Sequence, residues 1–155
     1  MIIYLASRYK RREELCVYRE ELRQMGHIVE ARWLNGSHQI SDKGIPIGDG
    51  GEAMVEATGG NGKEGDELRQ QFARDDIEDV CNASVIINFT EPPRSEANRG
   101  GRHVEYGIAL ALRKRLIIVG HRENLFHYVP FVEFYETWEE AKKSIGKEKA
   151  NGISK

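Results

Sequence analysis

Two cysteines in 155 residues cannot build a disulfide framework, and no metal-ligand spacing joins Cys16 to Cys81. Both fall on apolar stripes of expected helices and read as small buried hydrophobes of a reducing compartment. A dominant charge is missing too. The 23 basic and 25 acidic residues leave a formal net charge of −2, so neither polymeric nucleic acid nor an anionic membrane is expected as a partner. No apolar run nears the ~20 residues that span a bilayer, and the first residues run straight into a strand without a stretch of signal-peptide type. A cytosolic protein is the expectation. The Walker spacing Gly-x4-Gly-Lys-Ser/Thr is absent, as is Gly-x-Gly-x-x-Gly after the first strand, and no cofactor is expected.

What is there suits a globular protein. Apolar residues make up 39% and charged residues 31%. A chain of this length buries a core unaided, so 1–155 is expected to be one domain. Residues 2–6 are a short apolar run of strand type, followed by the polar turn Ser7-Arg8-Tyr9-Lys10. A helix over 11–25 turns Leu15, Tyr18, Leu22 and Met25 inward and ends at Gly26. Residues 27–33 read as a second strand nearer the sheet edge. The segment 36–65 is dense in glycine and longer than compact domains use for plain loops; it is a flexible lid or a tolerated surface insertion. A helix follows over 67–82, with Leu68, Phe72, Ala73, Ile77, Val80 and Cys81 as its buried stripe. Residues 83–89 are a central strand, 115–120 a fourth and 131–135 a fifth. Thr137 and Glu140 form a capping box for a last helix over 138–144, and 146–155 is a polar, frayed tail. Strands alternating with helices imply a five-stranded parallel sheet covered on both faces, of flavodoxin-like or Rossmann-like type. Ligands of such sheets bind beyond the carboxyl ends of the strands.

Three features of the chain point toward chemistry at that edge. Gly100-Gly101-Arg102-His103-Val104-Glu105-Tyr106-Gly107-Ile108-Ala109-Leu110-Ala111-Leu112 opens on a glycine pair and puts Val104, Ile108, Ala109 and Leu112 on one helix face. Glu105 is expected in the first turn, where unpaired N–H groups and the helix dipole favour its carboxylate. Such a carboxylate suits attack on an electrophilic carbon, although a helix-stabilising glutamate also fits the position. Asp76 falls on the buried stripe of its helix, where an acid must find partners or keep its proton; a capping or ion-paired aspartate is the plainer account. Ser7, Arg8, Tyr9 and Lys10 share the carboxyl edge with Arg99, Gly100, Gly101 and Arg102, an arrangement that binds an anion or is simply solvated charge.

Tyr4-Leu-Ala, then Asp76 within Phe72-Ala-Arg-Asp-Asp-Ile-Glu-Asp-Val80, then Gly101-Arg-His-Val-Glu-Tyr-Gly-Ile-Ala-Leu110 occur in an order that resembles the nucleoside 2-deoxyribosyltransferase family, which includes the nucleoside 5′-monophosphate N-glycosidases. The likeness spans about residues 2 to 145 and is weakest in the glycine-rich segment. It implies that Glu105 is the nucleophile, forming a covalent glycosyl-enzyme at the sugar C1′. It implies that Asp76 handles the proton of the departing base and that Tyr4 positions the nucleophile. Asn124 aligns with a residue that reaches the sugar 5′ end in a neighbouring subunit's site, which implies a homo-oligomer, a dimer or larger, with Asn124 acting in trans. Ser7, Arg8, Lys10, Arg99 and Gly101 lie where monophosphate-cleaving members hold phosphate.

Two positions depart from the family pattern. Transferases carry an acid six residues before the nucleophile, where this chain has Arg99; an arginine there suits a 5′-phosphate. The monophosphate hydrolases carry glycine at the position of His103, which here touches the base, orients Glu105 or is structural. Trp33 and His38 are candidates for stacking on the base. The expected activity is cleavage of the N-glycosidic bond of a (deoxy)nucleoside 5′-monophosphate, with release to water. Base exchange between nucleosides, NAD-type glycohydrolysis with the same glutamate, and a non-catalytic nucleotide-sensing module are the alternatives.

Overall fold

The computed structural model describes residues 1–35, 63–92 and 100–151. Five parallel strands, β1 (Ile2–Ala6), β2 (Ile28–Val29), β3 (Val85–Phe89), β4 (Arg115–Val119) and β5 (Glu133–Tyr135), form one sheet in the order β2-β1-β3-β4-β5. That is the flavodoxin-like order, with β1 and β3 adjacent at the centre. Among the described residues four helices flank it: α1 (Arg12–Gln24), α2 (Lys63–Asn82), α3 (Gly101–Ala111) and α4 (Trp138–Asn151). No helix among the described residues is long and apolar enough to cross a membrane.

The register fixes which residues face which layer. Tyr4 is level with Ile86, Ala6 with Asn88, and Asn88 with Ile118, so all five point to one side. That side is covered by α3, because the Tyr4 hydroxyl reaches Glu105. Phe89 points to the other side, stacking on Tyr18 of α1 at 5.4 Å and lying 5.7 Å from Trp138 of α4. β1, β3 and β4 are nearly continuous apolar runs, as strands buried on both faces must be, and supply much of the core.

Several expectations change against this frame. The second strand shrinks to Ile28–Val29, and Arg32–Asn35 is instead a 3-10 turn. There Arg32 binds Asp79 through both its backbone N–H (2.7 Å) and its Nε (2.8 Å), a geometry an extended strand could not offer. On α2 the buried side carries acids more than apolar residues. Asp79 and Val80 are buried, Phe72 and Asp76 half-buried, while Ala73, Ile77 and Cys81 are exposed. Cys81 is therefore no core residue, and Cys16 is only half-buried. The last helix runs through Asn151, so 146–151 is helical rather than frayed. The capping box at its start forms as expected, with the Glu140 N–H donating to Thr137 Oγ1 and the Thr137 N–H to Glu140 Oε2, each at 3.3 Å. The glycine-rich 36–62, with His38, and 93–99, with Arg99, lie outside the described residues; α2 begins at Lys63, inside the expected lid.

Candidate active site

α3 begins where β3 has delivered the chain to the carboxyl edge of the sheet. Gly100 precedes it in the left-handed region (φ 63°), a conformation that costs a side-chain-bearing residue energy, and its carbonyl accepts from the His103 N–H at 2.9 Å. Gly101 is the first helical residue, exposed and with open space above it. Glu105 is therefore the fifth residue of the helix, past the first turn and its free N–H groups. This corrects the expectation of a dipole-stabilised carboxylate. Burial dominates, and together with the negative charge of Asp76 it pushes the Glu105 carboxyl well above the usual carboxylate range; the Tyr4 hydroxyl and Arg102 pull in the opposite direction.

The other acid comes from α2. Burial raises the Asp76 pKa, and Asp79 and Asp75 raise it further, against a lowering by Arg32. Asp76 Oδ1 is buried without a hydrogen-bond partner among the described residues. Its two neighbouring acids are held by Arg32, which takes Asp79 at 2.8 Å and Asp75 at 3.0 Å. From the strand below, the Tyr4 hydroxyl donates to Glu105 Oε1 at 3.0 Å. Tyr4 is wholly buried beside these acids, which holds its phenol protonated far above its ordinary range, so it remains a donor at any working pH. Two carboxyl groups that repel each other in a dry setting resist ionising together.

The polar turn after β1 also gathers at this edge, though less openly than a bare phosphate cradle. Arg8 lies 3.5 Å and Arg11 3.7 Å from the carboxylate of Glu91, so the cluster carries its own anion. Arg11 also donates to the Thr90 carbonyl (3.2 Å) and grips Glu14. Ser7 Oγ is buried without a partner, and Lys10 is exposed. Trp33 is 7% exposed, its indole N–H donating to the Leu5 carbonyl at 2.9 Å, which leaves little ring surface for a base.

Behind α3 stands a brace that the spacing of residues did not reveal. Arg102 is buried and ion-paired with Glu123, whose Oε1 also accepts the Glu91 N–H at 3.0 Å. His127, fully buried, accepts the Glu123 N–H at Nδ1 (3.2 Å) and lies 4.9 Å from the Tyr106 ring at a tilt of 57°; burial lowers its pKa to about 4, so it is neutral. His103 is half-buried with its ring 6.3 Å from that of His127, and burial with nearby Arg102 lowers its pKa. His103, Glu123 and His127 bring ligand atoms within 4.8 Å of one another. A cation there would have to displace the Arg102 guanidinium from Glu123, so the trio fits a brace better than a metal centre. Asn124 opens the following turn, its Oδ1 accepting the Phe126 N–H at 2.9 Å. Gly120 makes this connector possible. Its φ of 113° and its approach to Thr90 leave no room for a side chain, and Thr90 Oγ1 accepts the next N–H, of His121, at 2.6 Å.

The expected apolar face of α3 is split: Ala109 is in the core and Ile108 packs against it, but the other two residues are not buried. Val104 (62% exposed) and Leu112 (49%) face outward, while Arg102, Tyr106 and Ala109 are buried. Leu125, Phe126, Tyr128 and Phe131 are exposed too, and the Tyr106 hydroxyl donates to the Phe126 carbonyl at 2.8 Å, joining α3 to that turn.

No family model matches the chain, and no curated protein matches it. Among solved structures, the fold is similar to that of a 2-deoxyribosyltransferase from Bacillus psychrosaccharolyticus, with a TM-score of 0.61 and 17% identity over 92% of this chain and 90% of that one. It is similar as well to the CMP N-glycosidase BcmB from Clostridium botulinum, with a TM-score of 0.54 and 16% identity over 94% of this chain and 98% of that one. At these identities the likeness is one of fold.

Proposed function

We infer that the protein is an enzyme that breaks the N-glycosidic bond of a nucleoside 5′-monophosphate through a covalent intermediate on Glu105. The observation that carries this reading is the tyrosine-held carboxyl of Glu105, electrostatically linked to a second, half-buried acid, Asp76. The sequence motif and the fold shared with a deoxyribosyltransferase and a CMP N-glycosidase support it.

The chemistry follows from the two environments. Near neutral pH the pair holds one proton. The Tyr4 O–H and the Arg102 charge favour the negative charge on Glu105; the acids beside Asp76 favour the proton there. Glu105 attacks C1′ as the C1′–N bond breaks, its charge stabilising the oxocarbenium-like state, and Asp76 delivers its proton to the base nitrogen that takes the bonding pair. Water then attacks C1′ from the vacated side, Asp76 takes its proton, and Glu105 leaves as carboxylate. With a second base in place of water the same steps give base exchange.

Arg8, Arg11 and the unpartnered Ser7 hydroxyl favour a phosphorylated sugar, whose phosphate would compete with Glu91 for the guanidinium groups. Incubation of the protein with a panel of nucleosides and 5′-monophosphates, with and without added free base, tests the assignment by chromatography of released or exchanged base. Base released from monophosphates, faster than from nucleosides by ~10-fold or more, is expected. Tight nucleotide binding with no base released would mark a sensing module, and nicotinamide released from NAD would mark a glycohydrolase.

We also propose that the active unit is a homo-oligomer, with Asn124 acting at a neighbour's site. The exposed apolar residues of α3 and of the 125–131 connector support a subunit interface. Sedimentation analysis should give at least a dimer, and Val104→Asp should dissociate it; a wild-type protein that is monomeric at micromolar concentration would end this part of the proposal.

A further inference from the structure

β3 is an apolar strand with one exception. Asn88 is 0% exposed, and neither its Oδ1 nor its Nδ2 has a hydrogen-bond partner among the described residues. A buried carboxamide with neither end satisfied is costly, and native interiors seldom keep one without a reason. Packing does not supply the reason, since Ile86 and Ile118 on the same face show that apolar residues fill this layer.

Its position does suggest one. Asn88 lies level with Ala6, two residues beyond Tyr4 along the neighbouring strand, and on the same face. Tyr4 reaches Glu105 from that face, so Asn88 lies on the sheet floor under the helix that carries the nucleophile, displaced toward the open edge. Attack at C1′ requires the base to depart from the side opposite Glu105. Groups on the Glu105 side therefore meet the sugar. A carboxamide offers both an acceptor and a donor, the complement of a sugar hydroxyl, which also has both. Asp76 Oδ1, buried without a partner and also belonging to the layer over this face, is a second sign that polar capacity here is kept for something the free protein lacks.

We propose that Asn88 is a specificity residue of this site, its carboxamide hydrogen-bonding a hydroxyl group of the sugar as substrate enters; this rests on the glycosidic reading given above. A site built to bond a hydroxyl rejects the analogue lacking it, because its own polar groups are then stranded.

Asn88→Leu keeps the branched shape and removes both polar atoms, and Asn88→Ala serves as a second variant should leucine not fit. Wild-type kcat/KM is compared across ribo-, 2′-deoxy- and 3′-deoxy-substrates, alongside the Tm of each ligand-free protein. Wild type should lose ~30-fold or more when one of these hydroxyls is removed, on the scale of one buried hydrogen bond. In the variants that preference should collapse to within ~3-fold, through the hydroxylated substrate becoming poorer. The Tm of Asn88→Leu should match or exceed wild type, since an unsatisfied amide has been removed. Unchanged sugar discrimination in both variants, or a Tm below wild type in both, would overturn the assignment of Asn88. If wild type neither binds nor cleaves any member of the panel, the glycosidic reading itself fails and this inference with it; an active wild type with indifferent Asn88 variants removes only the inference.

Discussion

Glu105→Ala is expected to abolish base release, lowering the rate by ~10³-fold or more, because the proposed reaction passes through a bond between this carboxylate and C1′. Loss of activity alone would not separate a nucleophile from a structural acid, but stability does. An unfolded glutamate loses its proton near 4.5, whereas burial and the mutual repulsion of Glu105 and Asp76 make the folded pair keep one shared proton into the neutral range. Across that window the folded state binds a proton that the unfolded chain has given up, so this residue's contribution to stability falls as pH rises. Glu105→Gln removes the loss. The variant should match wild type in Tm near pH 4 and exceed it near pH 8. Inactive Glu105→Gln with a higher Tm at alkaline pH is the signature of a group kept for chemistry at a cost to the fold. Retained turnover in the alanine variant, or a glutamine variant less stable at both pH values, would remove Glu105 as nucleophile.

The elements that positioned this site were legible in the chain because each rests on local chemistry. Strands read from apolar runs, Gly26 and Gly100 from their punctuation of helices, and the Thr137–Glu140 box from its spacing. Asp76 stood out as an acid on an otherwise apolar stripe. What stayed hidden was set across distance. Periodicity gave α3 an apolar face through Val104, Ile108, Ala109 and Leu112 but could not say how much of it meets its own core; the core took Ala109 and the side of Ile108, left Val104 and Leu112 exposed, and buried Arg102 and Tyr106 as well. Arg102 reads locally as an anion-binding or solvated base; its partner Glu123 lies 21 residues on. Asp79 looks like a flank residue until Arg32, 47 residues earlier, is folded against it. Asn88 sits in a run so apolar that its one amide passes as a tolerated exception, and only the want of hydrogen-bond partners among the described residues marks it.

Asp76→Asn should slow base release by ~10²–10⁴-fold for bases that leave poorly and much less for a base analogue that departs without protonation, because a general acid helps in proportion to how badly the leaving nitrogen needs its proton. The same variant should change the pH profile. Asp76 must be protonated when substrate binds, and burial beside Asp79 and Asp75 raises its pKa from 3.8 to about 7. Wild-type activity should therefore decline on the alkaline side as the pair gives up its shared proton, while the acid side reflects protonation of Glu105. An asparagine cannot lose a proton in this range, so the alkaline decline should disappear and leave a low rate that holds as pH rises. Arg32 enters here as well. By tying down Asp75 and Asp79 it limits how far their charge drives up the Asp76 proton, keeping an acid that can both give and retake it near neutrality. Equal slowing for all leaving groups together with an intact alkaline limb would mean that the acid is another group, and that Asp76 serves only to hold α2 against α3.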